Sequence, residues 1–176
     1  VARFRIGLSV PLLALVAGTV LYQRGTTPPA QSAVDRQAAL ASEHSPMLGD
    51  ATARVHVVEF LDPACETCAL FYPVVKELMA ENPGRIRLSI RHAAFHDGSE
   101  YVVRALEASG KQDKYWPTLE ALFASQARWA PRHTVEPDLV WPAIAAVGLD
   151  VERAIADMKA ADVTQRVDFH FDVMCP

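Results

Sequence analysis

Cysteine, glycine-rich loops and an excess of positive charge are all scarce in this sequence, and each shortage removes a class of function. Three cysteines in 176 residues are too few to staple a scaffold together. The eight glycines form no phosphate-binding loop, and no internal repeat or long block of one charge occurs. The net charge is −4; the first 24 residues hold Arg3, Arg5 and Arg24 and no acid, which leaves 14 basic against 21 acidic residues beyond them. A chain this acidic lacks the electrostatic footprint of a nucleic-acid binder, so nucleic acid is not an expected partner.

What is present is ordinary globular composition, 51% apolar and 22% charged, in a length that suits one domain with a full core. Residues 6–22 (IGLSVPLLALVAGTVLY) run uncharged for just long enough to cross a bilayer core. Arg3 and Arg5 before this run outnumber Arg24 after it, which orients the amino terminus to the cytoplasm and the rest of the chain outside. Residues 1–24 are thus expected to be a membrane anchor, with a cleaved signal peptide as the rival reading. Residues 25–45, small, polar and proline-containing, read as a tether, and residues 46–176 as the folded domain.

Within that domain, residues 55–61 (VHVVEFL) predict a buried strand covered on both faces, in which Glu59 is out of place. Residues 69–79 carry Leu70, Phe71, Val74, Val75 and Leu78 at helical spacing, with Pro73 inside and Asn82-Pro83-Gly84 closing the helix. Ile86, Leu88 and Ile90 then alternate with Arg85, Arg87, Ser89 and Arg91, giving a second strand with one polar side and a parallel crossover unit. Four helices are expected downstream. Ser99 caps the first, which runs to Gly110; Trp116, Leu119, Leu122 and Phe123 mark the second; residues 138–147 and 150–161 supply the others. Tyr115, Trp116, Trp129 and Trp141 read as packing residues.

The chemistry is concentrated in Cys65-Glu66-Thr67-Cys68. Disulfide exchange needs a thiolate, and the free N–H groups and positive dipole end of a helix amino terminus favour negative charge on sulfur. Cys65, where Pro63 gives way to the helix, is the expected attacking group; Cys68, three residues on, is the expected resolver. Glu66 opposes the anion with a like charge. A buried Glu59 would take and return the Cys68 proton, whereas an exposed one would be a surface acid of an edge strand. Cys175 reads as a spare thiol.

The stretch VVEFLDPACETCALFYPVVKEL resembles the thioredoxin superfamily, and in particular its DsbA-like branch of disulfide oxidoreductases. The redox pair, the helix proline Pro73 and the acid Glu59 carry the likeness, and ALEASGKQDKYWPTLEALF resembles that branch's helical insertion. The resemblance covers about residues 45–168. It implies an α/β thioredoxin-like fold with a helical insertion at about 98–161, and a chain lacking the C-terminal strands and helix, so that the branch's cis-proline role is not carried over to Pro176. It implies an extracytoplasmic thiol:disulfide oxidoreductase in the bacterial periplasm, held in the inner membrane by its N-terminal helix. The implied site is Cys65, Cys68 and Glu59, with no cofactor or metal; the implied partners are protein thiols and disulfides and a redox partner protein. Two alternatives remain open: a zinc- or copper-binding module using Cys65 and Cys68 with His92 or His96, and a non-catalytic truncated remnant.

Overall fold

The computed structural model describes Leu40 and residues 44–172. The predicted membrane span, most of the tether and Cys175 lie outside the described residues. Among the described residues, no helix is long and apolar enough to cross a membrane.

A three-stranded sheet forms the base, in the order β1-β3-β2. The central crossover is the one predicted. Strand β2 (Val55–Leu61) leads through helix α1 (Glu66–Glu81) to strand β3 (Ile86–His92), which pairs with β2 in parallel. The short β1 (Met47–Leu48) adds to the other side of β3 in antiparallel. The register Val57↔Leu88, Glu59↔Ile90 and Leu61↔His92 fixes which side chains share a face, because strand neighbours alternate and laterally paired residues do not. That face packs on the main core, where Leu61, Leu88 and Ile90 meet Tyr72 and Val75 of α1 and a helical layer beyond.

The helical layer follows β3. It comprises α2 (Ser99–Gly110), α3 (Tyr115–Ala124), the short α4 (Gln126–Trp129), α5 (Pro137–Ala143), α6 (Val151–Asp157) and α7 (Ala161–Asp172). Helices occupy much of residues 98–161, and a further one, α7, follows, where Val163 and Val167 bury against Val103 of α2. Asp150 caps α6 by accepting the Arg153 N–H at 3.0 Å. Trp129 is fully buried and donates its indole N–H to the Leu122 carbonyl at 2.9 Å, while Trp141 donates to the Tyr101 hydroxyl at 2.8 Å, so the aromatic residues act in packing as expected.

Three expectations are corrected. Strand β2 is only partly covered: Leu61 alone is fully buried, Val55 and Phe60 are exposed, and among the described residues nothing pairs with its outer edge. The polar side of β3 is no solvent face, because Ser89 and Arg91 are fully buried. Arg91 donates to the Phe169 carbonyl at 2.8 Å and lies 3.9 Å over the Phe169 ring, so α7 supplies both the acceptor and the π-face that a buried guanidinium needs. Helix α1 runs through Pro73 as predicted, but of its apolar stripe only Val75 is buried, beside Tyr72, whereas Leu70 is 75% exposed and Phe71, Val74 and Leu78 are each about half exposed. The apolar period was real, yet most of its stripe faces away from the described core.

These burial differences set the expected cost of truncation. Trp129→Ala should lower stability by about 3–5 kcal/mol in urea unfolding, whereas Val74→Ser on the outer face of α1 should stay within about 0.5 kcal/mol. A large loss for Val74→Ser would mean that the outer face of α1 is covered by the rest of the chain.

Candidate active site

Strand β2 ends at Leu61, and Asp62, Pro63 and Ala64 form a fully buried turn that delivers Cys65 to the start of α1. Cys65 is the N-cap, with extended backbone at φ −81° and ψ 118°, and its side chain caps no backbone N–H. The sulfur therefore stands beside first-turn N–H groups without being committed to one of them. Cys68 lies in that first turn. Both cysteines are half-buried free thiols, and their side chains are within hydrogen-bonding reach of each other.

The environment acts strongly on Cys68. Burial pushes its thiol up to about 11, the hydrogen bond with Cys65 and the charges of Cys65 and Asp62 push the same way, and only the Asp62 backbone N–H favours its anion. A Cys68 thiol is thus poised to donate toward a Cys65 anion. Glu59, on β2, projects to the face shared with Leu61 and Ile90. It is half-buried, its Oε2 is enclosed without a hydrogen-bond partner, and burial raises its carboxyl to about 7. Such a group exchanges a proton near neutral pH, a property that a surface glutamate lacks.

The turn itself is held by Asp62, a residue not among the expected site residues. Asp62 is 3% exposed. Its Oδ1 accepts from the Ala64 N–H at 2.8 Å and the Ser99 hydroxyl at 2.6 Å. Its Oδ2 accepts from the N–H groups of Phe95 and His96 at 2.8 and 2.9 Å, and faces His96 Nδ1 at 2.7 Å. Ser99 is therefore the first residue of α2 and a tether to Asp62; the N-cap is Gly98, left-handed at φ +77°. Gln126 of α4 donates to the Pro63 carbonyl at 2.8 Å, and His133 Nδ1 lies 3.3 Å from the Ala64 carbonyl. His133 also stacks on His96 at 4.7 Å, from a turn in which Arg132 and His133 both take left-handed backbone. Residues distant in sequence thus fix the chain leading into Cys65. The available signal was an Asp-Pro pair at a strand end, since such acids capture nearby backbone N–H groups.

The metal-site alternative loses its histidines. His92 is wholly buried, where burial holds its imidazole far below the ordinary range, and it meets Tyr115, Glu107 and His170 rather than the cysteines. His96 is bound to Asp62. Among the described residues, no cluster of potential metal ligands includes Cys65 or Cys68.

Asp62→Ala should cost about 3–5 kcal/mol, because several buried donors would lose their acceptor at once; Ser99→Ala should cost about 1–2 kcal/mol. Chemical denaturation of the two variants checks the order, and equal costs would contradict the hub.

Comparison with known proteins agrees with this geometry. The sequence model of the thioredoxin family matches residues 41–172. A thioredoxin-like oxidoreductase from Silicibacter pomeroyi is 28% identical, with a TM-score of 0.66 over 77% of this chain and 76% of that one. BdbD from Bacillus subtilis is 25% identical, with a TM-score of 0.64 over 76% of this chain and 75% of that one. The thiol-disulfide exchange protein alpha-DsbA2 from Wolbachia pipientis shares the fold at 17% identity and a TM-score of 0.66, over 81% of this chain and 76% of that one. Among curated proteins, the Na(+)/H(+) antiporter NhaA of Herminiimonas arsenicoxydans is 32% identical over 120 residues, which are 68% of this chain; the match spans only 18% of the antiporter's length. The chain belongs to the thioredoxin family.

Proposed function

We propose that the chain is an extracytoplasmic thiol:disulfide oxidoreductase that exchanges disulfides with protein substrates through Cys65 and Cys68. The observation that carries this reading is the cysteine pair at the start of α1, with the two side chains within hydrogen-bonding reach and the Cys68 proton held tightly. In the reducing direction, the Cys65 thiolate attacks a substrate disulfide, forming a mixed disulfide and releasing one substrate thiolate. Glu59, as the carboxylate, accepts the Cys68 proton. The Cys68 sulfur then displaces the substrate from Cys65, which forms the Cys65–Cys68 disulfide and releases the second substrate thiolate. Two electrons have moved from the pair to the substrate, and a redox partner protein returns the pair to the dithiol. The same steps in reverse oxidise a substrate dithiol.

Anchoring in the inner membrane, with the domain facing the bacterial periplasm, rests on residues 6–22 and on the arginines around them. The likeness to part of an antiporter is in keeping with a redox domain borne by a membrane protein. On this reading residues 1–24 anchor, 25–45 tether, and 46–176 carry the chemistry.

The test is trapping. Cys68→Ala should accumulate mixed disulfides on Cys65, and Glu59→Gln should slow resolution by about 100-fold at pH 8. Because the carboxylate is the acceptor, the wild-type resolution rate should rise with pH through about 7, and the Gln variant should lose that inflection. No trapped adducts on Cys65 would remove the exchange reading; an unchanged pH profile would remove Glu59 from it.

A further inference from the structure

We propose that His92, Glu107 and His170 form a binding site for a divalent transition-metal ion, separate from the cysteine pair. The three residues come from β3, α2 and α7, far apart in sequence, and all are buried. Glu107 Oε1 lies 3.2 Å from His170 Nε2 and 3.7 Å from His92 Nε2, and one ligand atom from each residue lies within 4.8 Å of the others. A tetrahedral ion with nitrogen and oxygen ligands at about 2.0–2.2 Å sets those ligands about 3.3–3.6 Å apart. Two sides of the triangle, at 3.2 and 3.7 Å, lie about 0.1 Å outside that range on either side, and no side exceeds 4.8 Å.

The chemistry of the cluster suits such an ion. Two imidazoles and a carboxyl are a zinc-type donor set, and the Tyr115 hydroxyl, 2.9 Å from His92 Nε2, stands beside them. As an isolated hydrogen-bonded core, the same cluster serves Glu107 poorly. Its contact with His170 is long at 3.2 Å, and His92 at 3.7 Å and Arg166 at 3.8 Å lie beyond hydrogen-bond range. A buried acid normally gathers closer donors than these, as Asp62 does elsewhere in the fold.

Binding has a defined proton balance. His170 Nδ1 accepts the His92 N–H at 3.3 Å, so a neutral ring carries its proton on Nε2, facing Glu107. Coordination through Nε2 requires the other neutral tautomer, so that proton passes to Nδ1 with no net release, and the 3.3 Å contact, the longest hydrogen bond of the cluster, is given up. Access is at hand through a cavity of about 350 Å³ lined by Glu107, Tyr115, Trp116, His44 and Arg166.

The test uses the full chain with Cys65→Ser, Cys68→Ser and Cys175→Ser, so that no thiolate competes for metal. One equivalent of Zn2+ should survive gel filtration, and Co2+ in its place should show the visible bands of a four-coordinate nitrogen and oxygen site without sulfur charge transfer. Glu107→Gln and His170→Gln should each weaken zinc binding by about 100-fold. Absence of stoichiometric zinc from the cysteine-free chain, or undiminished affinity in both variants, would overturn the proposal. Where a variant fails to fold by circular dichroism, the Co2+ spectrum of the cysteine-free chain decides, and a spectrum of the free hexaaqua ion overturns it.

Discussion

Everything at the redox end of the molecule depends on the Asp62 carboxyl, which gathers donors from its own turn, from the loop after β3 and from the first residue of α2. A side chain buried to this degree is costly unless its oxygens are served, and here each accepts more than one hydrogen bond. The same residue turns its backbone N–H toward the Cys68 sulfur. One acid therefore joins strand to helix, fixes the approach to Cys65 and touches Cys68. With Gln126 and His133 on the neighbouring carbonyls, the helical layer becomes the frame of the cysteine turn.

The titratable groups divide along the two cysteines. Cys65 has the open first turn of α1 around it; Cys68 is half-buried, and burial raises its thiol to about 11. Glu59, raised by burial to about 7, is a group able to exchange a proton near neutral pH on the face it shares with Leu61 and Ile90. The second set of buried polar groups, around Glu107, lies between β3, α2 and α7 and involves neither cysteine. Two polar centres in one small fold thus have different construction: the Asp62 site is saturated with close donors, and the Glu107 site is not.

Much of this was legible locally. The crossover of β2, α1 and β3, the cysteines at a helix start and four of the six helices after β3 follow from period, capping residues and breakers, which act within a few residues; α4 and α7 were not expected. The orientation of α1 was not, because a period says which side chains share a face and not which face meets the core. Tyr72, polar enough to be passed over, is the buried member, while Leu70 is not. Asp62 and His92 were misjudged for another reason. Their partners lie at Ser99, His96, Glu107 and His170, and contacts between residues this distant in the chain leave no local pattern. Glu59 was legible as an anomaly, since a charge in an apolar strand calls for a reason even when none is in view.

The most direct measurement equilibrates the full chain in buffers of graded dithiol and disulfide ratio, traps free thiols by alkylation and weighs the product. If the turn held by Asp62 sets Cys65 and Cys68 for exchange, these two sites should lose their label together in a single two-electron transition. Independent labelling of the two cysteines across the whole range, with no Cys65–Cys68 bond at any potential, would contradict the account.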